Sequence, residues 1–348
     1  MKKIQVGVLG ATGMVGQRFV QLLEGHPWFE VTALAASENS AGKTYAEAMA
    51  GRWKLSSDIP AYAAGMTVEK CTPDLDCTLA FSALDAAVAG DIEDAFAHTG
   101  YAVSSNSRNH RMDADVPLVI PEVNADHLRL IDVQKKRRSG FIVTNPNCST
   151  IHMVLALKPL HDAFGIRQIT VTTMQALSGA GYPGVASLDI LDNVIPYIGG
   201  EEEKIETETL KLLGWLSDQT IQPAQIQVSA SCNRVNVNDG HLESVSVKLA
   251  KKTSADELKQ AFSTFNPLKS LKLPSSPTMP IIVRDEPDRP QPKLDRNIEK
   301  GMASTIGRIR PCNVLDWKFT VLGHNTIRGA AGAAILNAEL LAAKGYLK

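Results

Sequence analysis

The chain lacks a charge excess of either sign: 36 basic side chains stand against 37 acidic ones, a formal net charge of −1. With no basic field there is no electrostatic ground for a nucleic-acid partner, and with no polybasic stretch none for a membrane surface. Long apolar runs are missing too; none approaches the roughly 18 residues that a bilayer-spanning helix needs. The N-terminal MKKIQVGVLGATG opens with two lysines as a signal peptide does. Its apolar run is short, broken by glycines and followed by no small-residue cleavage site, so it reads as a first strand. Cysteine is scarce: Cys71, Cys77, Cys148, Cys232 and Cys312 are odd in number and fit no common zinc spacing. Reduced thiols in a cytoplasmic protein, with no metal, are expected. There is no internal repeat. What is present is an ordinary globular composition, 44% apolar over 348 residues, enough for two domains or one large one.

One stretch stands out. An extended apolar run, Gly140–Thr144, ends at Asn145-Pro146-Asn147, and Cys148 follows, then Ser149-Thr150, then a helical apolar run to Leu160. Ser149 and Thr150 are favoured helix-start residues. That puts the Cys148 sulfur near free backbone N–H groups and the positive end of a helix dipole, where thiolate is favoured over thiol. Cys148 is therefore a candidate nucleophile. Taken alone, the stretch is equally compatible with a buried, inert cysteine.

The first half alternates strands with helices. Lys3–Leu9 predicts a strand and Gly10-x-x-Gly13-x-x-Gly16 a turn, followed by a helix through Val15, Phe19, Val20, Leu22 and Leu23. A glycine turn between strand and helix lets backbone approach a pyrophosphate at the helix N-terminus, which points to a dinucleotide. Val31–Ala36 is the second strand, and the residues after it face the adenine ribose. Glu38 there suits a 2′-OH and favours NAD, while Ser37, Ser40 and Lys43 suit a 2′-phosphate and favour NADP. Both stay open. Thr78–Ser82 and Tyr101–Ser105 are further strands, with a helix at Ala86–His98, so the sheet is parallel and doubly wound. Arg108 and Arg111 follow as candidates for an anion. Lys135–Arg138 reads as a solvated helix end.

The second half changes texture. Gly165–Leu177 alternates as an antiparallel strand does, and Ser178–Gly184 is a flexible loop. Gly200–Leu213 is a helix with an acidic start. Ile226–Val237 and Leu242–Leu249 are predicted to form a hairpin across Asp239-Gly240. Phe265–Pro292, rich in proline and serine, reads as an arm or long loop, and Ala303–Arg310 and Trp317–Leu322 as strands. A last helix, Gly329–Lys344, returns to the first domain. The expected architecture is α/β: a Rossmann-like parallel-sheet domain, 1–147 with 325–348, and an α+β domain, 148–324, on a mixed, largely antiparallel sheet.

Motifs in order along nearly the whole chain then identify a family. They are GATGMVG (Gly10–Gly16), SAGK (Ser40–Lys43), VPLVIPEVN (Val116–Asn124) and NPNCST (Asn145–Thr150). QALSGAGYPG (Gln175–Gly184), GGEEEK (Gly199–Lys204), NRV with DGH (Asn233–His241) and HNTIRGAAG (His324–Gly332) continue the series. With these the chain resembles the aspartate-β-semialdehyde dehydrogenases, in their archaeal and fungal-like branch. The resemblance implies a Rossmann domain plus a dimerisation domain, assembled as a homodimer or homotetramer. The implied reaction makes L-aspartate 4-semialdehyde from 4-phospho-L-aspartate and NADPH with release of phosphate, on the route to lysine, threonine, methionine and isoleucine.

By the same resemblance Cys148 is the nucleophile, His241 the general acid/base and Gln175 the orienting residue. Arg234 grips the substrate carboxylate, Glu201 the amino group, and Arg111 and Lys204 the phosphate. Gly10, Thr12, Gly13, Met14, Val15, Ser37, Ser40, Lys43 and Ser82 hold the cofactor, with Ser178, Gly179 and Asn325 near its nicotinamide end. Two departures stand out. Glu38-Asn39 replaces the arginine that relatives often carry in the second-strand loop, so NADP is expected with NAD as the alternative. RVNV replaces the common RVPV before His241, with little chemical effect expected. Alternative functions are a malonyl-CoA reductase, against which Glu201 and Lys204 argue, and a non-catalytic dinucleotide-binding sensor, against which an intact Cys148–Gln175–His241 set argues.

Overall fold

The computed structural model describes residues 3–347 and holds two six-stranded sheets. The first contains β1 (Ile4–Leu9), β2 (Phe29–Ala36), β3 (Val68–Lys70), β4 (Leu79–Ser82), β5 (Ala102–Ser105) and β6 (Phe141–Thr144). Its order is β3-β2-β1-β4-β5-β6 and every pairing is parallel. β4, β5 and β6 are buried at every residue, as strands covered on both faces must be. The order reverses between β1 and β4, and ligands bind at such a switch point, beyond the carboxyl ends of the strands. The turn there needs glycine. Gly10 has φ +74°, and a Cβ on it would stand 2.7 Å from the Ala83 carbonyl oxygen.

The second sheet contains β7 (Ile166–Gln175), β10 (Gln227–Arg234), β11 (His241–Leu249), β12 (Ile281–Val283), β13 (Ser304–Pro311) and β14 (Trp317–Gly323). β8 (Trp215–Ser217) and β9 (Thr220–Gln222) form a separate hairpin. The sheet order is β10-β7-β11-β14-β13-β12. It is mixed: β7–β11, β11–β14 and β13–β14 are antiparallel, while β10–β7 and β12–β13 are parallel. The helix Cys148–Phe164 lies between this sheet and the first domain, with almost all of its length buried.

Three expectations change. The hairpin across Asp239-Gly240 does not form, because β7 lies between β10 and β11 and takes pairing from both. The loop instead extends the edge of β7: Val235 N–H donates to the Gln175 carbonyl at 3.0 Å and Leu177 N–H to that of Val237 at 2.7 Å. Residues 265–292 are not an arm. Leu268 and Leu273 enter the first core, Ser275 N–H donates to the Glu339 carboxylate at 3.0 Å, and β12 closes the sheet edge. Within Lys135–Arg138, Arg138 is largely buried against Asp94, at 2.9 Å, and Asp115.

After β14 the chain returns to the first domain through a turn of π-helix, Ile327–Ala331, and the helix Gly332–Ala343, buried on nearly all sides. Ser104 Oγ of β5 donates to the Ala334 carbonyl at 3.1 Å. Arg328 Nη2 meets Glu122 Oε2 at 2.5 Å, and neither side chain is more than 1% exposed. Residues 1–2 and 348, the outer ends of the expected first domain, lie outside the described residues.

The buried Arg328–Glu122 pair carries a prediction for stability. Arg328→Met should strand a carboxylate in the core and cost about 3–5 kcal/mol. Urea titration should show a lower midpoint at unchanged slope; an unchanged midpoint would mean that the pair does not hold the return segment.

Candidate active site

The Cys148 helix starts one step earlier than Ser149 and Thr150 suggest. Asn147 is the N-cap, and its Oδ1 accepts the N–H groups of Ser149 at 2.9 Å and Thr150 at 3.3 Å. Its Nδ2 donates to Glu201 Oε2 at 2.7 Å and its own N–H to Glu208 Oε2 at 2.6 Å. The amides expected to serve the sulfur are thus already taken. The Cys148 thiol, half-buried, is pushed up to about 12 by burial and then by the Glu201 charge, against the pull of Arg111, Arg234 and Lys204. Burial thus works against the ionised sulfur that the helix start leads one to expect.

His241 opens β11 and is fully buried. Its Nε2 lies 3.1 Å from Cys148 Sγ, and its Nδ1 accepts Ala176 N–H at 3.0 Å. Burial, with Arg234 and His324 adding to it, brings its pKa down to about 3, so the ring is neutral at pH 7. The loop before it is tied by Gly240 N–H donating to Asn325 Oδ1 at 2.8 Å, while Asn325 Nδ2 donates to Ser178 Oγ at 2.8 Å. Arg234, at the end of β10, donates from Nη1 to the Ala176 carbonyl at 2.7 Å. Gly179 lies against both groups. A Cβ there would sit 3.0 Å from Arg234 Nη1 and 3.2 Å from His241 Cε1.

The helix Glu201–Leu212 sends one charged face inward. Glu201 Oε1 pairs with Lys204 Nζ at 2.6 Å, and Gln175 Nε2 donates to Glu201 Oε2 at 3.3 Å. Burial raises the Glu201 pKa, but Lys204 and the bonds from Lys204, Asn147 and Gln175 outweigh it, and the net shift is downward. Glu208 Oε1 holds Arg111 Nη1 at 2.8 Å. Lys211 Nζ donates to the carbonyls of Arg111, Asp113 and Val116 at 2.7–2.9 Å, and burial lowers its pKa to about 8.

A cleft of about 890 Å³ opens between the two sheets beside these groups. Gly10, Thr12, Gly13, Met14, Val15 and Ser37 line one end. Cys148, Gln175, Ser178, Gly179, Arg234 and Asn325 line the other, with Glu201, Lys204, Arg111 and Arg108 beside them. Four expected residues are not on its wall. His241 lies behind it and reaches the sulfur through Nε2. Ser40 is turned into the protein, Lys43 Nζ donates to the Asn39 carbonyl at 2.9 Å, and Ser82 is buried at the end of β4. Asn147, Glu208, Lys211 and the Ala176 main chain were not foreseen. The spacing 201, 204, 208, 211 is a helical stripe, and it was the available signal for two of them.

Two family models match the chain: the NAD binding domain of semialdehyde dehydrogenases over residues 5–131 and their dimerisation domain over 157–328. The aspartate-semialdehyde dehydrogenase of Archaeoglobus fulgidus is 56% identical over 342 residues, which is 97% of this chain and 98% of that one. The enzyme of that name from Schizosaccharomyces pombe is 49% identical, covering 99% of both chains. The crystal structure of aspartate semialdehyde dehydrogenase with NADP from Candida albicans superposes with TM-score 0.92 at 46% identity, over 99% of this chain and 100% of that one.

Burial of the thiol gives a pH prediction. Because the Cys148 pKa is raised to about 12, its alkylation by iodoacetamide in the free protein should keep accelerating up to about pH 10. A plateau reached below about pH 8 would show a thiolate already formed and refute the assignment.

Proposed function

The chain belongs to the aspartate-semialdehyde dehydrogenase family, and from that premise we propose how its cleft performs the family's reaction. The activity is the reductive dephosphorylation of 4-phospho-L-aspartate to L-aspartate 4-semialdehyde and phosphate, with NADP as the cofactor. The glycine turn fits that group. Backbone is bare at Gly10, and the Met14–Leu22 helix starts at Gly13 with no side-chain cap, so its first amides are open to a pyrophosphate. When bound, NADPH supplies hydride to the acyl carbon; everything else falls to the chain's own residues.

Cys148 attacks the acyl carbon, expels phosphate and carries the acyl group as a thioester, which splits one difficult step into two. His241 acts at the sulfur and at the carbonyl oxygen beside it as the acid/base group. Gln175, bonded to Glu201, orients the acyl group. Arg234 takes the substrate carboxylate in a forked pair whose geometry lysine does not reproduce. Glu201 receives the ammonium, and Arg111 and Lys204 receive the phosphate. The observation that carries the proposal is the 3.1 Å approach of Cys148 Sγ to His241 Nε2, in a cleft that also exposes Arg234 and Glu201.

The units 1–147 with 325–348 and 148–324 are proposed as the cofactor and catalytic domains. The dimerisation-domain match fits a homo-oligomer. A homodimer or homotetramer is proposed, with the exposed Leu188, Leu191, Val194 and Tyr197 as apolar surface for the contact. A cytoplasmic location fits five free cysteines.

Two measurements test the proposal. Oxidation of aspartate semialdehyde should require phosphate and reduce NADP, and Cys148→Ala should abolish turnover; phosphate-independent oxidation, or activity without the thiol, would overturn it. Arg234→Lys should raise KM by about 10²-fold, since a charge-assisted bond to a bound charge is worth about 1.5–3 kcal/mol. Unchanged kinetics would remove Arg234 from the carboxylate site.

A further inference from the structure

We infer that Arg52 sets the preference for a 2′-phosphorylated dinucleotide, by pairing with the phosphate on the adenine ribose beyond the end of β2. The assignment rests on the cofactor of the proposed function and adds the residue that selects it. A dinucleotide laid over the glycine turn puts its adenine ribose at the end of the second strand, and a nearby arginine accommodates a 2′-phosphate there. Residues 37–43 contain no arginine. Ser37 offers a hydroxyl, and Glu38 a carboxylate that such a phosphate would repel.

The segment that carries Arg52 is built onto the glycine turn. Tyr45, fully buried, donates from its hydroxyl to the Ala11 carbonyl at 2.8 Å. Met49 N–H returns to the Tyr45 carbonyl at 2.9 Å, and Arg52 N–H to that of Met49 at 2.8 Å. Gln17, 2% exposed, then grips the chain on both sides of Trp53. Its Nε2 donates to the Arg52 carbonyl at 3.2 Å, and its Oε1 accepts Lys54 N–H at 2.8 Å. The same Nε2 donates to the Thr12 carbonyl at 3.2 Å. One buried amide therefore ties the main chain of Arg52 to the turn that meets the pyrophosphate. The Arg52 side chain stays exposed, and the residue lines the cleft together with Thr12 and Ser37. A guanidinium on a fixed backbone can fork to two phosphate oxygens.

The neighbouring charges are engaged elsewhere. Glu38 turns to Lys70 at 3.2 Å, on a separate depression. Lys43 Nζ donates to the Asn39 carbonyl at 2.9 Å. Lys54 Nζ donates to the Gly51 carbonyl at 2.9 Å and stands 4.8 Å from the centre of the Tyr182 ring. Among the described residues, Arg52 is the cation on the cleft wall at this end. A 2′-OH gains far less from a guanidinium than a phosphate does, because only the phosphate makes the bond charge-assisted on both sides. The same residue thus separates the two dinucleotides.

Calorimetric titration of the full-length protein with NADP⁺ and with NAD⁺, without substrate, tests this and needs no turnover. Arg52→Gln should weaken NADP⁺ by about tenfold or more and leave NAD⁺ within about twofold. Because the segment is held through main-chain atoms, the variant should keep the wild-type urea midpoint. Unchanged NADP⁺ affinity would overturn the proposal. So would an equal loss for both dinucleotides, which would put Arg52 on the shared pyrophosphate. Glu38→Gln should leave the ratio of the two affinities within about twofold; a tenfold rise for NADP⁺ would make Glu38 the selecting residue and overturn the assignment. Failure to oxidise aspartate semialdehyde would instead sink the proposed function and leave these affinities standing.

Discussion

The reactive centre depends on a row of charges sealed between two sheets. Glu201, Lys204, Glu208 and Lys211 occupy one face of a single helix, and Glu208 and Lys211 are less than 10% exposed. An isolated buried ion costs several kcal/mol, and such groups persist only when each is paired and hydrogen-bonded. Here each one is. Glu208 ties Arg111 to the Asn147 main chain, Lys211 gathers three carbonyls of the Arg111 segment, and Glu201 spans Lys204, Asn147 and Gln175. The residue before the cysteine is thereby held through its backbone N–H, its Oδ1 and its Nδ2 at once. The face that would recognise substrate charge is the same face that sets the position of the nucleophile.

The two groups at the middle of the site are those whose charge burial opposes. The thiol pushed up to about 12 and the imidazole brought down to about 3 both follow first from burial. A thiolate–imidazolium pair needs an acceptor on the far side of the ring to hold the cation. This ring has a backbone donor there instead, with a guanidinium near it. The nearby cations, Arg111, Arg234 and Lys204, offset the burial of sulfur only in part. Burial therefore sets the direction of both shifts, and the hydrogen bonds of the ring fix where the imidazole stands against the sulfur.

The legible parts of the sequence were local. Short, largely apolar runs gave β1, β4, β5 and β6, because a strand buried on both faces has little freedom in composition. Cys148 and His241 were found through short motifs, and the return helix through its alanine-rich faces. The illegible parts were long-range. Asp239-Gly240 has hairpin chemistry, yet the partner of β11 is β7, which precedes it by some 65 residues in the chain. Nothing within ten residues of the turn announces that partner. Likewise Glu208 reads as one more acid on a solvated helix until Arg111 and Asn147 are brought to it, 97 and 61 residues away in sequence.

The cofactor end shows how a local departure can be neutralised by its surroundings. Glu38 places a carboxylate where a 2′-phosphate would meet repulsion. In the structure, however, it turns to Lys70 at 3.2 Å and lines a separate surface depression, while Ser37 and Arg52 line the cleft. Both partners of the Glu38–Lys70 pair are well exposed, so the pair contributes little to stability. Its effect is on direction: it keeps a negative side chain off the wall that Arg52 makes positive. The second-strand loop thus remains compatible with an NADP enzyme: Ser37 lines the cleft, and Arg52 of a later loop adds a cation to the same wall.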